Sequence, residues 1–324
     1  MPRVAAIDCG TNSIRLLIAD INPATHALTD VVRTMTVVRL GQGVDRTGEF
    51  AADALERTLA VTSEYAAECD AAGVESIRFV ATSATRDARN RDLFLDGVRE
   101  RLGVTPEVIS GDEEARLSFS GAVSVVGSEG AQAGHRAPYL VVDLGGGSTE
   151  LVLGTASPEY AHSMDVGCVR LTERHLSADP VGEASIAAAT ADIHAAIDAA
   201  AQQVPLGQVG TVIGLAGSIT TVTAHALGLE RYEPDVIHGT VLTPQQTVDS
   251  CTALLQASHA ERAAMPFMHP GRIDVIGAGA LVWRTVVEGV QQAVREQGRE
   301  LGGIVTSEHD ILDGIALSLV AGAH

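Results

Sequence analysis

The sequence predicts an α/β protein of two related halves, and three observations carry that prediction. Strand-type apolar runs alternate with stretches of helical period in both halves. The segment Tyr139-Leu-Val-Val-Asp-Leu-Gly-Gly-Gly-Ser-Thr-Glu-Leu-Val-Leu153 sets a carboxylate, three glycines, a Ser-Thr pair and a second carboxylate between two apolar runs. That segment has an earlier copy. Ala6-Ile-Asp-Cys-Gly-Thr-Asn-Ser-Ile-Arg-Leu-Leu17 aligns with Val141-Val-Asp-Leu-Gly-Gly-Gly-Ser-Thr-Glu-Leu-Val152 without a gap, matching Asp8 to Asp143, Gly10 to Gly145, Ser13 to Ser148 and Leu16 to Leu151. Two copies of strand, Asp-x-Gly-x-x-Ser turn and strand suggest two halves facing one ligand. At 324 residues the chain has the length of about two domains. These are expected at 1–126 and 127–307, with a last segment, 308–324, packing back on the first.

The first half opens with a hairpin, 4–7 and 14–19, around the first copy of the turn, and a third run at 31–40 gives it an antiparallel start. Glycines at 41, 43 and 48 mark a loop. Helical periodicity runs over 51–72 and stops at Gly73, a residue suited to the left-handed position after a helix. A short strand at 77–81 leads into a polar strand end, Thr82-Ser-Ala-Thr-Arg86. A helix at 90–102 is stopped by Gly103, and a strand follows at 105–109. Ser110 and Glu113 have the spacing of a capping box, so a further helix begins there. Residues 127–137, rich in Gly and Ala, are expected to connect the halves. The second half repeats the hairpin at 139–154 and adds a strand at 159–166. It then turns mainly helical, with helices expected at 182–203, 218–227, 244–257 and 272–294 and a strand at 211–215. An amphipathic helix is expected over 308–319.

The chemistry of the repeated turn follows from its residue types. Glycine tolerates positive φ and lets a backbone approach a ligand closely. Successive N–H groups in such a turn form a nest suited to phosphate. Asp143 and Glu150 flank the nest, which is coherent if a divalent cation with a taste for oxygen ligands, such as Mg²⁺, bridges them to phosphate. The apolar runs on both sides argue against a flexible Gly/Ser linker.

Composition narrows the function. Apolar residues at 46% and charged residues at 19% belong to a globular protein with ample core. A net charge of −19 and an aromatic content of 3% argue against nucleic acid and against an anionic membrane as partners. All 22 basic residues are arginine, which excludes a Walker-type P-loop and lysine Schiff-base chemistry and leaves bidentate arginine for phosphate. The cysteines Cys9, Cys69, Cys168 and Cys251 are scattered, fit neither a zinc site nor a disulfide framework, and point to a reducing cytoplasm. Neither a signal peptide nor an apolar run of about 18 residues is recognisable, so no membrane association is expected.

Six motifs then occur in order: Asp8-x-Gly-x-Asn-Ser13, Ala81-Thr-Ser-Ala-Thr-Arg86, Ser110-Gly-x-Glu-Glu-Ala-Arg116, Asp143-x-Gly-Gly-Gly-Ser-Thr-Glu150, Gly167-Cys-Val-Arg-Leu171 and Arg272-x-Asp-Val-Ile276. Together they span most of the chain and resemble the exopolyphosphatase/guanosine-pentaphosphate phosphohydrolase family, within the superfamily of actin, sugar kinases and heat-shock chaperone ATPases. The resemblance implies two ribonuclease-H-like (actin-like ATPase) domains with the active site in the inter-domain cleft. It implies hydrolysis of the terminal phosphoanhydride of inorganic polyphosphate with Mg²⁺, or another divalent cation such as Mn²⁺, and a homodimer. Carried over by position, it makes Glu114 the general base and Asp143 and Glu150 the metal ligands, with Asp8 a further candidate. Phosphate binding falls to Asn12, Ser13, Arg86, Gly145, Gly146, Gly147 and Ser148. Arg15 stands where the second copy has Glu150, which places metal binding mainly on the second copy.

Beside that reading stand plainer ones. From the residues alone, Glu113 and Glu114 are first-turn acids favoured by the helix dipole, and the resemblance selects Glu114. Arg86 could be an ordinary surface arginine like Arg89 and Arg91, but its motif position at a strand end favours a ligand role, and His238 and Cys168 read as structural. Gly271 stands where the family pattern has glutamate, so Arg272 is a doubtful site residue. Longer relatives carry a further helical C-terminal region, and its absence here predicts a preference for short polyphosphate. Guanosine pentaphosphate is an alternative substrate for the same site. A kinase or switch binding adenine nucleotides would use Gly214-Leu-Ala-Gly-Ser218 or Gly277-Ala-Gly279, glycines that serve equally as packing points between helices and sheet.

Overall fold

The structure, a computed structural model, describes residues 1–129 and 135–321. The chain groups into two units, Met1–Gly121 with the segment from Ile311 onward, and Ala122–Asp310. Part of the expected connection, 130–134, lies outside the described residues.

In the first unit β1 (Arg3–Cys9), β2 (Ser13–Ile21) and β3 (Leu28–Val37) form an antiparallel meander. After α1 (Val44–Thr47) and α2 (Ala52–Ala72), β4 (Ser76–Ala81) returns parallel to β1. Then come α3 (Ser83–Asp87), α4 (Arg91–Leu102), β5 (Glu107–Val108) parallel to β4, and α5 (Gly111–Glu129). In the second unit β6 (Tyr139–Leu144), β7 (Thr149–Gly154) and β8 (Pro158–Met164) repeat the meander. They are followed by α6 (Cys168–Arg174), α7 (Glu183–Ala201), β9 (Thr211–Leu215), α8 (Ala216–Ala226), α9 (Pro234–Ile237), β10 (Val241–Leu242), α10 (Pro244–Gln256), α11 (His259–Ala264), α12 (Ile276–Glu296) and β11 (Ile304–Thr306). The last helix, α13 (Ile311–Ala321), belongs to the first unit.

The sheet orders are β3-β2-β1-β4-β5 and β10-β11-β9-β6-β7-β8. Read from β8, the second sheet has the same plan as the first: an antiparallel meander whose first strand is continued by parallel neighbours, β9 and β11, with β10 added at the edge. The repeated plan agrees with the two related halves that the repeated hairpin predicts, and it is the ribonuclease-H-like arrangement that the family resemblance implies.

The strands near the middle of each sheet are buried on both faces, which is why they read as continuous apolar runs. In β1 the alternation sends Ala5, Ile7 and Cys9 to a core shared with Leu55, Tyr65, Phe79 and Phe94, and Val4 and Ala6 to the opposite face. That opposite face is covered by Ile311, Leu312, Ile315 and Ala316 of α13. Asp313, fully buried on the same helix, accepts from Arg33 Nη2 at 2.6 Å and Nη1 at 3.2 Å, a fork-on-carboxylate pair.

Several expected elements change. Thr82-Ser-Ala-Thr-Arg86 is not a strand end: the Thr82 carbonyl accepts from Thr85 N at 3.0 Å and Arg86 N at 3.1 Å, which curls the chain into α3 directly after β4. The third strand stops at Val37, so Val38, Arg39 and Leu40 lie beyond it. The helix expected from 272 starts at Ile276 behind a short 3₁₀ turn, Pro270–Arg272. The strand β11 has no counterpart in the sequence reading. Among the described residues, no helix is long and apolar enough to cross a membrane.

Candidate active site

In each unit the predicted site residues gather where the hairpin turn meets the ends of the parallel strands. In the first, β1 and β2 pair in the register Asp8↔Arg15 and Cys9↔Ile14, and the turn closes with Gly10 N–H donating to Ser13 O at 2.9 Å. In the second, β6 and β7 pair as Asp143↔Glu150 and Leu144↔Thr149, and Gly145 N–H donates to Ser148 O at 3.0 Å. The two turns correspond bond for bond. None of Gly10, Gly145, Gly146 or Gly147 is among the glycines at positive φ, so the left-handed backbone is not what selects glycine here. At Gly145 close approach does so, since a Cβ there would sit 3.1 Å from Ser148 O.

Directly opposed residues of an antiparallel pair project from the same face. Asp143 and Glu150 therefore stand side by side, 6% and 1% exposed, with Ser163 Oγ donating to Glu150 Oε1 at 2.7 Å. In the first copy Asp8 faces a cation of the chain's own: Arg15 donates to its Oδ2 from Nη2 at 2.6 Å and from Nε at 3.0 Å. In the first turn the residue opposite the aspartate is thus a guanidinium, and in the second it is another carboxylate. An oxygen-only set of two acids fits Mg²⁺, which is often held by one or two carboxylates and completes its shell with water and substrate phosphate. Among the described residues no cluster of three or more His, Cys, Asp or Glu side chains forms a self-sufficient metal cage.

The chain leaving β4 passes the first turn, because Ala81 lies opposite Cys9 in the parallel ladder. Thr82 N–H donates to Cys9 O at 3.2 Å, and Thr82 Oγ1 is 3.8 Å from where a Gly10 Cβ would lie. From α3, Arg86 Nη1 donates to Glu114 Oε2 at 2.6 Å and to Ile109 O at 3.1 Å. The preceding acid turns elsewhere: Glu113 accepts from Arg78 Nη2 at 2.6 Å, and its side chain is 46% exposed against 10% for Glu114. Ser110 Oγ accepts from Glu113 N at 3.2 Å, while the Glu113 carboxylate goes to Arg78 rather than back to the helix start. Asn12 Oδ1 is buried and has no partner among the described residues, an acceptor that a donor such as water, or a cation, would complete. Burial, with Asp8 adding to it, pushes the Cys9 thiol well above its ordinary value, so the sulfur beside the turn is not a nucleophile.

Two groups escaped the sequence reading. Thr82 was visible only as part of a motif. Arg170, whose Nε donates to Gly147 O at 2.7 Å, had a signal that could have found it: Val-Arg-Leu occurs at 38–40 and again at 169–171, each time after the third strand of a meander. Arg272 lies 5.7 Å over the Tyr232 ring and donates to Thr221 Oγ1 at 3.1 Å. Tyr232 in turn donates to Glu308 Oε1 at 2.7 Å. The glycines considered for an adenosine site are packing points. A Cβ on Gly217 would collide with the Arg272 guanidinium, one on Gly214 with Ile219 and Trp283, one on Gly277 with Arg262 and one on Gly279 with Ser218. His238 Nδ1 accepts from Glu308 N at 3.1 Å, and Cys168 is a buried thiol pushed up by that burial, as structural residues would be.

Comparison with known proteins gives a consistent set of relatives. The sequence profile described as the Ppx/GppA phosphatase family matches residues 17–299. Exopolyphosphatase 2 of Mycobacterium tuberculosis is 46% identical over 326 aligned positions, covering 98% of this chain and 99% of that protein. The crystal structure of an exopolyphosphatase-like protein superposes with a TM-score of 0.93 at 46% identity, over 98% of this chain and 99% of the other. A guanosine-5'-triphosphate,3'-diphosphate pyrophosphatase of Pseudoalteromonas atlantica is 31% identical over 220 positions, 68% of this chain and 42% of that protein.

Proposed function

The chain belongs to the Ppx/GppA phosphatase family, and on that premise we propose that it is an exopolyphosphatase that releases orthophosphate from the end of inorganic polyphosphate. The observation that carries this reading is the register pair Asp143↔Glu150 beside the glycine turn. It sets two buried acids next to a row of backbone donors, the combination that a phosphate with a cation requires.

In this reading a water attacks the terminal phosphorus, the bond from phosphorus to the bridging oxygen breaks, and Glu114 takes the proton of the water. Arg86 holds the Glu114 carboxylate in place through Nη1 and turns its other N–H groups to a phosphate oxygen. Asn12, Ser13 and the N–H groups from Gly146 to Ser148 bind phosphate oxygens, whose charge they meet with dipoles already oriented for it. Asp143 and Glu150 would hold Mg²⁺, which supplies charge neutralisation on the anhydride. Asp8 gives Oδ2 to Arg15 and remains a further candidate for the metal. A second substrate, guanosine pentaphosphate, is favoured by the likeness to the pyrophosphatase named above and would use the same groups.

One experiment tests the proposal. Purified protein with Mg²⁺ is given tripolyphosphate, long-chain polyphosphate, guanosine pentaphosphate or ATP, and orthophosphate release is followed. Release from tripolyphosphate, faster than from the long polymer, is expected. Turnover of the guanosine nucleotide alone would move the assignment to the second substrate, and inert polyphosphate with tight ATP binding would overturn it.

A further inference from the structure

The three N–H groups assigned to phosphate in the second turn belong to peptide units whose carbonyls are all engaged from one side. Gly145 O accepts from Cys168 N at 3.1 Å, and Gly146 O from Val169 N at 2.8 Å and Arg170 N at 3.1 Å. Gly147 O accepts from Arg170 Nε at 2.7 Å. A peptide unit is planar and trans, so its C=O and the following N–H point in opposite directions. Holding the carbonyls of 145, 146 and 147 toward 168–170 therefore aims the N–H groups of Gly146, Gly147 and Ser148 away from it, toward the side where an anion would lie.

The segment can do this only because it lies in backbone contact with the turn. A Cβ on Gly167 would fall 2.5 Å from Gly146 C and O and 2.7 Å from Gly147 C. The φ of Gly167 is −156°, ordinary extended backbone, so space and not conformation demands glycine there. Buried Val169 and Leu171 anchor the segment on either side of Arg170.

The first turn is backed in the same manner. Gly41 N donates to Thr11 O at 2.9 Å, and Val38 N and Arg39 N donate to Asn12 O at 3.0 and 2.8 Å. These bonds aim the N–H groups of Asn12 and Ser13. Here all the named donors are main-chain. In the second turn the last peptide, Gly147–Ser148, is set by a side chain.

We propose that Arg170 is a positioning residue of the phosphate site, whose Nε–H takes Gly147 O and so aims the Ser148 N–H at the substrate. This rests on the reading that the glycine turn binds phosphate. The role assigned is the donor at Nε, as distinct from that residue's other contacts.

That distinction supplies the test. Glutamine carries an N–H donor the same number of bonds from Cα as arginine Nε, and methionine has similar reach with no donor. Amide signals of Gly146, Gly147 and Ser148 are followed in ¹⁵N-labelled full-length protein titrated with inorganic phosphate in Mg²⁺, alongside kcat on tripolyphosphate. In wild type and in Arg170→Gln all three amides are expected to shift. In Arg170→Met the Ser148 response is lost, those of Gly146 and Gly147 remain, and kcat falls by about tenfold to a hundredfold, the upper figure being the loss of one preorganised donor. Rescue by Gln marks the donor role. Equal losses in both variants, or an undiminished Ser148 response in Arg170→Met, would overturn the proposal. If Arg170→Met does not fold, the Gln variant decides alone, and a lost Ser148 response there sinks it. Silent amides in the wild type would instead remove the phosphate-turn reading on which the proposal stands.

Discussion

At the scale of single residues, the choice between Glu113 and Glu114 turns on about 100° of helix rotation. That rotation sends one acid to Arg78 at the surface and the other to Arg86. Glu114→Gln keeps the volume and an oxygen for Arg86 to donate to, so the fold and substrate binding are expected to survive. Turnover of polyphosphate is expected to fall by about 10²–10⁴-fold, the range for loss of a general base. Steady-state kinetics beside calorimetric binding of tripolyphosphate decide it, and a fully active variant would take the base role from Glu114. The sequence carried the identity of the carboxylates and the turn because their chemistry is written in residue type and spacing. It showed Thr82 and Arg170 only as members of motifs and not their roles, because what they do depends on a ladder partner and a carbonyl that are distant in the chain.

At the scale of elements, the long helices with glycine stops were legible. α2 ends where Gly73 takes φ 67° and α4 where Gly103 takes φ 76°, the left-handed positions that glycine signals. Elements held by tertiary contact were not. The three-residue strand β11 exists because its backbone completes a ladder beside β9, and α3 exists because the end of β4 curls at Thr82. The seat of α13, expected on the first half from the sequence, depends in addition on Gly314, which lets the helix lie against the backbone of α5. A Cβ at Gly314 would collide with the carbonyl and Cα of Leu117. Gly314→Ala is therefore expected to destabilise the protein by about 1–3 kcal/mol, the usual cost of overpacking, despite the better helix propensity of alanine. Urea unfolding measures it, and an unchanged midpoint would mean that the two helices lie further apart.

At the scale of the whole molecule, one supersecondary plan is used twice and differentiated by single substitutions, of which Arg15 against Glu150 is the most consequential. The stability of the whole also has a pH signature. Burial holds the imidazole of His225 below the ordinary 6.5, and burial together with Arg272 does the same for His269. As pH falls through that value the unfolded chain binds protons before the native one. The stability these groups contribute is complete above about pH 6.5 and drains away below it. In about 0.5 M NaCl, which screens the surface charge, the urea midpoint is expected to fall between about pH 7 and 5. A midpoint that rises over that range would contradict the assignment. The position of α13 has a temporal consequence as well. The second unit is one continuous stretch, Ala122–Asp310, whereas the face of the first sheet carrying Val4, Ala6 and Leu17 is covered by residues from Ile311 on. During synthesis on a ribosome the half that emerges first therefore waits, with a sheet face only partly covered by Ile109 and Leu117, for a helix that emerges after the whole second unit. Its partner half can complete its core earlier, so order of synthesis and order of folding run in opposite directions, and a chaperone has a defined surface to guard in the interval.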